Sequence, residues 1–132
     1  GKQAEIKWVN DLFMKGKKIC GILSELDADF ESRKVNSVIV GIGINVNEPE
    51  DDSFKDLKDI AGYIDTDTIR NDILSSILNS FYENNFVKKE EDVIDYYKKH
   101  SLVIGRELSF ELNGKKYFAK GIDINKKGVR CV

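Results

Sequence analysis

One predicted strand carries two glycines and an asparagine on a single face, and this spacing suits contact with a ligand. The strand is expected over residues 37–46, and successive side chains of a strand point to opposite faces. One face then holds only β-branched residues: Val38, Val40, Ile42, Ile44 and Val46. The other face includes Gly41, Gly43 and Asn45, so it is bare enough for a flat ligand, with the Asn45 amide as donor and acceptor. A helix packed over the glycines, or a bulge, is the structural alternative.

Two segments upstream of this strand carry charged and polar side chains close together. Lys7–Asp11 ends in an Asn-Asp pair that is typical of a turn, and Lys17–Leu23 begins with two lysines. Taken alone, each lysine is more often a surface charge than a functional group. Cys20 is more typical of a small buried residue than of a nucleophile. A Ser-His-Asp triad would require His100, the only histidine, and a Cys/His zinc cluster cannot be assembled.

The composition is that of a soluble globular protein of about one domain. The 132 residues are 41% hydrophobic and 33% charged, and no apolar run approaches the ~20 residues that span a bilayer. A net charge of −2 argues against a protein built around nucleic-acid phosphates. Two cysteines are too few for a disulfide framework, which favours a cytoplasmic location.

The predicted elements are strands first, then helices, then a small β-module. Strands are expected at residues 6–8, 19–26 and 37–46 as an antiparallel meander. Lys15-Gly16-Lys17 is typical of a turn between paired strands, a polar loop is expected at 27–36, and a polar connector follows at 48–59. Apolar spacing predicts one helix near residues 69–82, capped by Asp65, Thr66 or Asp67, and a second at 90–100. Asn113-Gly114 predicts a hairpin in the last part of the chain, with a boundary near Ser101.

Together, three motifs resemble the biotin protein ligases. Lys7–Asp11 is similar to their KWPND motif, Lys17–Glu25 to their K-(I/L)-x-G-I-L-x-E strand, and Gly41–Asn47 to their G-x-G-I-N-x-N strand. The resemblance implies an α+β fold: a largely antiparallel sheet with helices on one side, of the class II aminoacyl-tRNA synthetase/biotin ligase type. Residues 1–101 would be the C-terminal portion of the catalytic domain, and residues 102–132 the start of an SH3-like barrel that is incomplete.

The resemblance also implies a reaction and its partners. Such enzymes activate biotin with ATP, accompanied by Mg²⁺, to biotinyl-5′-AMP, and pass biotin to a lysine of the carrier domain of acetyl-CoA carboxylase. Lys18 would be the catalytic cation beside the biotin carboxylate and the phosphate. Substrate contacts would come from Lys18, Gly21, Gly41, Gly43 and Asn45, and the nucleotide side from Lys7, Trp8 and Asn10. No protein metal site is expected, and no contact of this chain with nucleic acid or membrane; a homodimer through the catalytic sheet is a further implication.

Two departures from the family pattern qualify these expectations. Val9 stands where the motif has proline, which predicts a looser turn and weaker preorganisation for the adenylate. No stretch matches the family's GRGRxGR-like loop, so the chain is expected to be a piece of a ligase that is inactive alone. Alternatives are a non-catalytic binding module, one half of a split ligase, or a lipoate ligase relative.

The residue numbers set one geometric condition on the site. Lys18 is even-numbered and Gly21 odd-numbered, so on an ideal strand they lie on opposite faces of the sheet. Both reach one ligand only if Lys18 lies at the strand entry or beside a bulge.

Overall fold

The computed structural model describes residues 3–29, 31–83 and 90–132. Strands and helices follow the expected order. The strands are β1 (Glu5–Lys7), β2 (Asp11–Met14), β3 (Lys17–Asp29), β4 (Lys34–Ile44), β5 (Glu107–Leu112), β6 (Lys115–Asn125) and β7 (Gly128–Cys131). A 3₁₀ helix (Asp52–Leu57) and the α-helices α1 (Arg70–Glu83) and α2 (Glu90–Lys99) lie between β4 and β5.

Strands β1 to β4 form an antiparallel meander in sequence order; three of these strands were predicted, and β2 is an additional strand between the first two. Lys15 and Gly16 both have positive φ in the β2–β3 turn, which fits the primed turns favoured in two-residue hairpins. The polar loop expected over residues 27–36 is shorter than predicted, because β3 continues to Asp29 and β4 begins at Lys34. The Asp29 carboxylate accepts hydrogen bonds from the N–H groups of Glu31 and Ser32, which stabilises this tighter turn.

The first helix lies opposite the β-branched face of β4. An open groove of about 550 Å³ separates them, lined on one side by β4 from Val40 and on the other by the apolar face of α1. None of the α1 side chains is buried. The helix begins at Arg70, so the predicted caps Asp65, Thr66 and Asp67 lie upstream of its first turn.

The last part of the chain is a three-stranded antiparallel sheet in the order β5-β6-β7. Asn113 and Gly114 have φ values of 51° and 73°, which confirms the hairpin predicted from these two residues. The sheet is not closed into a barrel, in agreement with an incomplete barrel. Helix α2 joins it through an ion pair between Lys98 and Asp123, with 2.9 Å between nitrogen and oxygen.

The fold class predicted from the sequence is confirmed, but the core is small. Among the described residues the buried apolar side chains are Ile6, Ile19, Cys20, Val103 and Ile124. Both faces of the β3–β4 hairpin are open: Leu23 on one face and Val38 on the other are 62% and 56% exposed. No helix in the described ranges is long and apolar enough to cross a membrane. A domain boundary near Ser101 stays a prediction.

Candidate functional site

A cleft of about 750 Å³ opens where the first strands meet the end of β4. Its walls come from β1, β2, the start of β3, the end of β4 and the chain that follows the 3₁₀ helix. The lining residues are Lys7, Asp11, Phe13, Gly16, Lys18, Cys20, Gly21, Gly43, Ile44, Asn45, Leu57, Asp59, Ile60 and Ala61. The cleft thus contains four of the five residues expected to touch substrate, and Gly41 lies next to it on the same face of β4.

Strand register explains why these residues share one face. Leu12 pairs with Cys20 and Phe13 pairs with Lys18, so Ile19 is an extra residue on β3, a bulge. Directly paired residues lie on the same side of a sheet. Because of the bulge, Lys18 joins Gly21 on one face although their numbers differ in parity. Lys18 is also the second residue of β3, so both geometric conditions set by the sequence are met.

The ammonium of Lys18 lies 2.7 Å from a carboxylate oxygen of Asp11. The Lys18 side chain is 46% exposed and that of Asp11 is 22% exposed, so solvent screens the pair only in part. Asp11 was interpreted from the sequence as a turn residue. Its place in the cleft was missed, because only the tertiary pairing of Asp11 with Gly21 brings it beside Lys18.

The three glycines of this face have different surroundings. A Cβ at Gly21 would lie 3.1 Å from Nζ and 3.2 Å from Cε of Lys18, so the lysine side chain lies across this glycine. A Cβ at Gly41 or Gly43 would meet only a backbone oxygen of β3, at 3.8 Å and 3.9 Å. No described helix packs over these two glycines, and the sheet surface there is open.

Asn45 connects the segments at the floor of the cleft through hydrogen bonds. Its side-chain nitrogen donates to the Gly62 carbonyl at 3.0 Å and to the Lys18 carbonyl at 3.3 Å. Its backbone N–H donates to Ile19. The amide therefore ties β4, the start of β3 and the segment after the 3₁₀ helix together.

The three residues expected on the nucleotide side are placed differently from one another. Lys7 lines the cleft, with its ammonium 5.3 Å from the centre of the Phe13 ring. Trp8 lies away from the cleft lining and packs edge-on against Tyr97 of α2, with ring centres 5.4 Å apart. Asn10 also lies outside it, and its side chain donates to the Ile22 carbonyl at 2.7 Å. The Trp8–Val9 peptide bond is cis.

The segment after the 3₁₀ helix forms one wall, which the sequence did not indicate. Its residues were included in, or lay next to, a predicted solvated connector. Lys18 N–H donates to the Ile60 carbonyl at 2.9 Å, and Gly62 N–H donates to the Lys18 carbonyl at 2.7 Å. These two bonds hold the segment parallel to β3 at Lys18. Gly62 permits this approach, since a Cβ there would lie 2.8 Å from the Cβ of Lys17.

Cys20 lies at the base of the cleft as a buried thiol. Burial raises the pKa of this thiol, the negative charge of Asp11 raises it further, and Lys18 lowers it. A thiol with a raised pKa is a poor nucleophile at neutral pH, which agrees with the structural interpretation of this residue. His100 does not line the cleft; its carbonyl accepts a hydrogen bond from the Ile6 N–H.

The described parts of the chain contain no group of three or more His, Cys, Asp or Glu side chains arranged to hold a metal ion. Two carboxylates, those of Asp11 and Asp59, line the cleft. Asp11 is engaged by Lys18. The donors therefore do not compose an all-protein metal site, and a divalent ion in this cleft would need oxygen ligands from a bound nucleotide.

The chain is similar in sequence to one group of enzymes. Residues 1–45 match the biotin/lipoate A/B protein ligase family. Over 98% of its length the chain is 34% identical to the bifunctional ligase/repressor BirA of Bacillus spizizenii. Over 96% of its length it is 26% identical to the biotin--[acetyl-CoA-carboxylase] ligase of Mycobacterium tuberculosis.

The fold is also similar to solved structures of the Aquifex aeolicus biotin protein ligase. The apo structure matches with a TM-score of 0.74 and 26% identity, and the complex with biotin and ATP with a TM-score of 0.69 and 25% identity. Each match covers 98% of this chain. The chain spans 41% and 46% of the two curated relatives and 61% of the apo Aquifex chain. The resemblance to the biotin protein ligases is confirmed.

Proposed function

We propose that this chain, a relative of the biotin protein ligases over nearly all its length, supplies the adenylate-binding floor of such an enzyme. The parent reaction would activate biotin with ATP to biotinyl-5′-AMP and pass the biotinyl group to a lysine of a carboxylase carrier domain. The proposal rests on the position of Lys18. The bulge places this cation on the bare face of the sheet, beside Gly21 and Gly43.

The charge chemistry of this reaction suits the cleft. A biotin carboxylate must approach the α-phosphate of ATP, and the two negative groups repel each other. A fixed ammonium lowers that repulsion and stabilises the charge that develops as the carboxylate attacks phosphorus and pyrophosphate leaves. Lys18 would do this at close range, and Lys7 would add a second positive charge at the wall of the same cleft.

The open glycines suit the flat part of the ligand. At Gly41 and Gly43 a ligand can lie against the backbone, since no side chain of the described chain fills that space. Asn45 would support this surface by holding the strands in register. We assign Trp8 and Asn10 to shaping the turn that carries Lys7 and Asp11, because their side chains contact the protein. Mg²⁺ would enter with the ATP phosphates and screen their charge.

The partners follow from the same proposal. The acceptor would be the biotin carboxyl carrier domain of acetyl-CoA carboxylase. A homodimer through the catalytic sheet is supported by β4, which pairs with β3 on one side and with no described strand on the other. The absence of nucleic-acid contacts by this chain stays a prediction, and the name of the Bacillus relative includes a repressor activity. A cytoplasmic location is part of the proposal and agrees with the free thiols of Cys20 and Cys131.

Calorimetry on the whole chain tests the proposal. We expect biotinyl-5′-AMP to bind, Lys18→Gln to weaken that binding at least tenfold, and Lys34→Gln to leave it unchanged, since Lys34 lies at the far end of β4. Tighter binding of lipoyl-AMP would favour a lipoate ligase relative. Failure of both adenylates to bind would favour a non-catalytic module and overturn the proposal.

A separate assay addresses activity. No stretch of the 132 residues resembles the GRGRxGR-like loop, so we expect this chain alone to bind adenylate without transferring biotin. ATP-dependent labelling of a purified carrier domain measures this. Robust transfer by this exact chain would contradict the expectation while leaving the ligase assignment intact.

A further inference from the structure

The cation at the centre of the proposed site already has a counter-anion within the cleft. Lys18 Nζ and Asp11 Oδ1 are 2.7 Å apart, within the distance of a charge-assisted hydrogen bond. The Lys18 side chain reaches Asp11 by crossing Gly21, where a Cβ would lie 3.1 Å from Nζ and 3.4 Å from Asp11 Oδ1. Glycine at position 21 therefore makes this pairing possible.

Lys7 offers a contrast on the same face. It lies directly opposite Asp11 in the β1–β2 pair, yet no ion pair joins it to a carboxylate of the described residues. Its ammonium faces the Phe13 ring instead. One lysine of the cleft thus stays available to an anion, and the other is engaged by Asp11.

We propose that Asp11 is a resident counter-anion of Lys18 that the anionic group of the ligand displaces. The inference rests on the proposed function, since it takes the ligand anion to be the biotin carboxylate or the adenylate phosphate. Asp11 lowers the affinity of Lys18 for any free anion. A small anion that contacts only Lys18 gains little by displacing it, whereas a ligand that is also held on the open glycines does so readily.

The exposure of the pair makes this exchange reversible. An ion pair with one partner half exposed contributes little net stability, typically a factor of about two to five in an equilibrium. A fully buried pair would hold Lys18 too firmly, because breaking it leaves an uncompensated buried charge. Asp11 therefore modulates affinity and does not close the site.

Binding of biotin and of biotinamide to the whole chain tests the proposal. The two ligands differ only in a carboxylate against a neutral amide. For Asp11→Asn we expect biotin to bind about two- to fivefold more tightly at low salt, with a smaller gain at high salt. Biotinamide should bind the variant and the wild type equally. Asp123→Asn is the matched control: it removes an ion pair of similar length outside the cleft and should change neither affinity.

Each other outcome decides against the inference. If Asp11→Asn binds biotin equally or more weakly than the wild type does, Asp11 is not a competing anion, and the proposed function stands. If biotin and biotinyl-5′-AMP bind neither protein, the proposed function fails and the inference fails with it. Circular dichroism and thermal melting verify that the variant folds. Asp11→Ser serves as a second carboxylate-free variant and must give the same ligand-dependent gain.

Discussion

At the scale of single residues, the glycines of the β3–β4 pair differ in what lies over their backbone. Gly43 and Gly41 face an open surface, whereas Gly21 lies beneath the side chain of Lys18. From the sequence, all three are expected to be positions where a ligand approaches the backbone. The structure assigns Gly21 a distinct steric role, because the extra residue at Ile19 turns Lys18 toward it.

Gly43→Ala separates the proposed binding role of this glycine from a structural one. A Cβ at position 43 would meet only the Gly21 carbonyl oxygen, at 3.9 Å, so the fold can accept it. Alanine is also less costly than glycine within a strand, by roughly 0.5–1 kcal/mol. We expect equal or slightly higher stability in urea unfolding, together with weaker binding of biotinyl-5′-AMP. A variant that is stable and binds biotinyl-5′-AMP as tightly as the wild type would contradict a ligand contact at Gly43.

At the scale of elements, β6 depends on a glycine for a different reason. A Cβ at Gly121 would collide with the Val103 carbonyl oxygen and lie 3.2 Å from Cδ1 of Leu108. Both neighbours belong to the protein, and one of them is backbone. Gly121 therefore permits β6 to pass against the segment that enters the small sheet, and Gly105 N–H donates to its carbonyl there at 2.7 Å.

Gly121→Ala should destabilise the protein by about 1–3 kcal/mol, the usual cost of overpacking against atoms that cannot move away. Urea unfolding monitored by circular dichroism measures the change. Gly41→Ala is the matched control, since its Cβ would meet only one backbone oxygen at 3.8 Å. Equal stability of the two variants would show that the Val103 segment shifts without cost.

Helix α2 supports the turn that carries the first motif. The Tyr97 hydroxyl donates to the Val9 carbonyl at 3.2 Å, and the Tyr97 ring packs against Trp8, the only tryptophan. Tyr97→Phe should cost up to about 1 kcal/mol with little change in tryptophan emission, since it keeps the ring. Tyr97→Leu should cost more and shift that emission to longer wavelength. Tyr96→Phe on the same helix is the control, and an unchanged emission in Tyr97→Leu would refute the contact.

The elements predicted correctly are those specified by local chemistry. Turn residues with positive φ at Lys15-Gly16 and Asn113-Gly114 fix their hairpins within four or five residues, and the apolar spacing of α1 and α2 is equally local. The wall formed by residues 57–61 could not be found this way. Its place depends on hydrogen bonds to Lys18, more than 40 residues earlier in the chain. Asp11 was missed for the same reason, because its partner is set by strand register.

At the scale of the whole molecule, charged contacts join the small sheet to the rest of the chain. Lys98 of α2 pairs with Asp123 of β6 at 2.9 Å, and Arg106 pairs with Glu5 of β1 at 2.8 Å. Val103 is the buried apolar residue beside this junction. Since few apolar side chains are buried here, the junction should respond to pH and salt more than a large hydrophobic interface would.

Acid should therefore loosen the small sheet through Asp123. The Lys98 ammonium, hydrogen-bonded to the carboxylate, holds the pKa of Asp123 below its ordinary value, and the Ile124 N–H and Arg130 act in the same direction. A folded-state pKa below the unfolded one means that the ionised carboxylate stabilises the fold above about pH 4. This contribution is lost as the pH falls through the folded-state value. On lowering the pH from 6 to 3 we expect smaller protection factors in β6 and β7, where each amide exchange rate is referred to that of an unfolded peptide at the same pH.

Asp123→Asn should make the protection factors of β6 and β7 small already at pH 6 and less dependent on pH. Asp29→Asn is the matched comparison, because hydrogen bonds from Ser32 and the Glu31 N–H lower the pKa of Asp29 in the β3–β4 turn. That variant should likewise be less stable than the wild type at pH 6 and less sensitive to acid, with its loss of protection confined to β3 and β4. If Asp123→Asn leaves exchange in β6 unchanged at both pH values, the ion pair with Lys98 does not hold the small sheet in place.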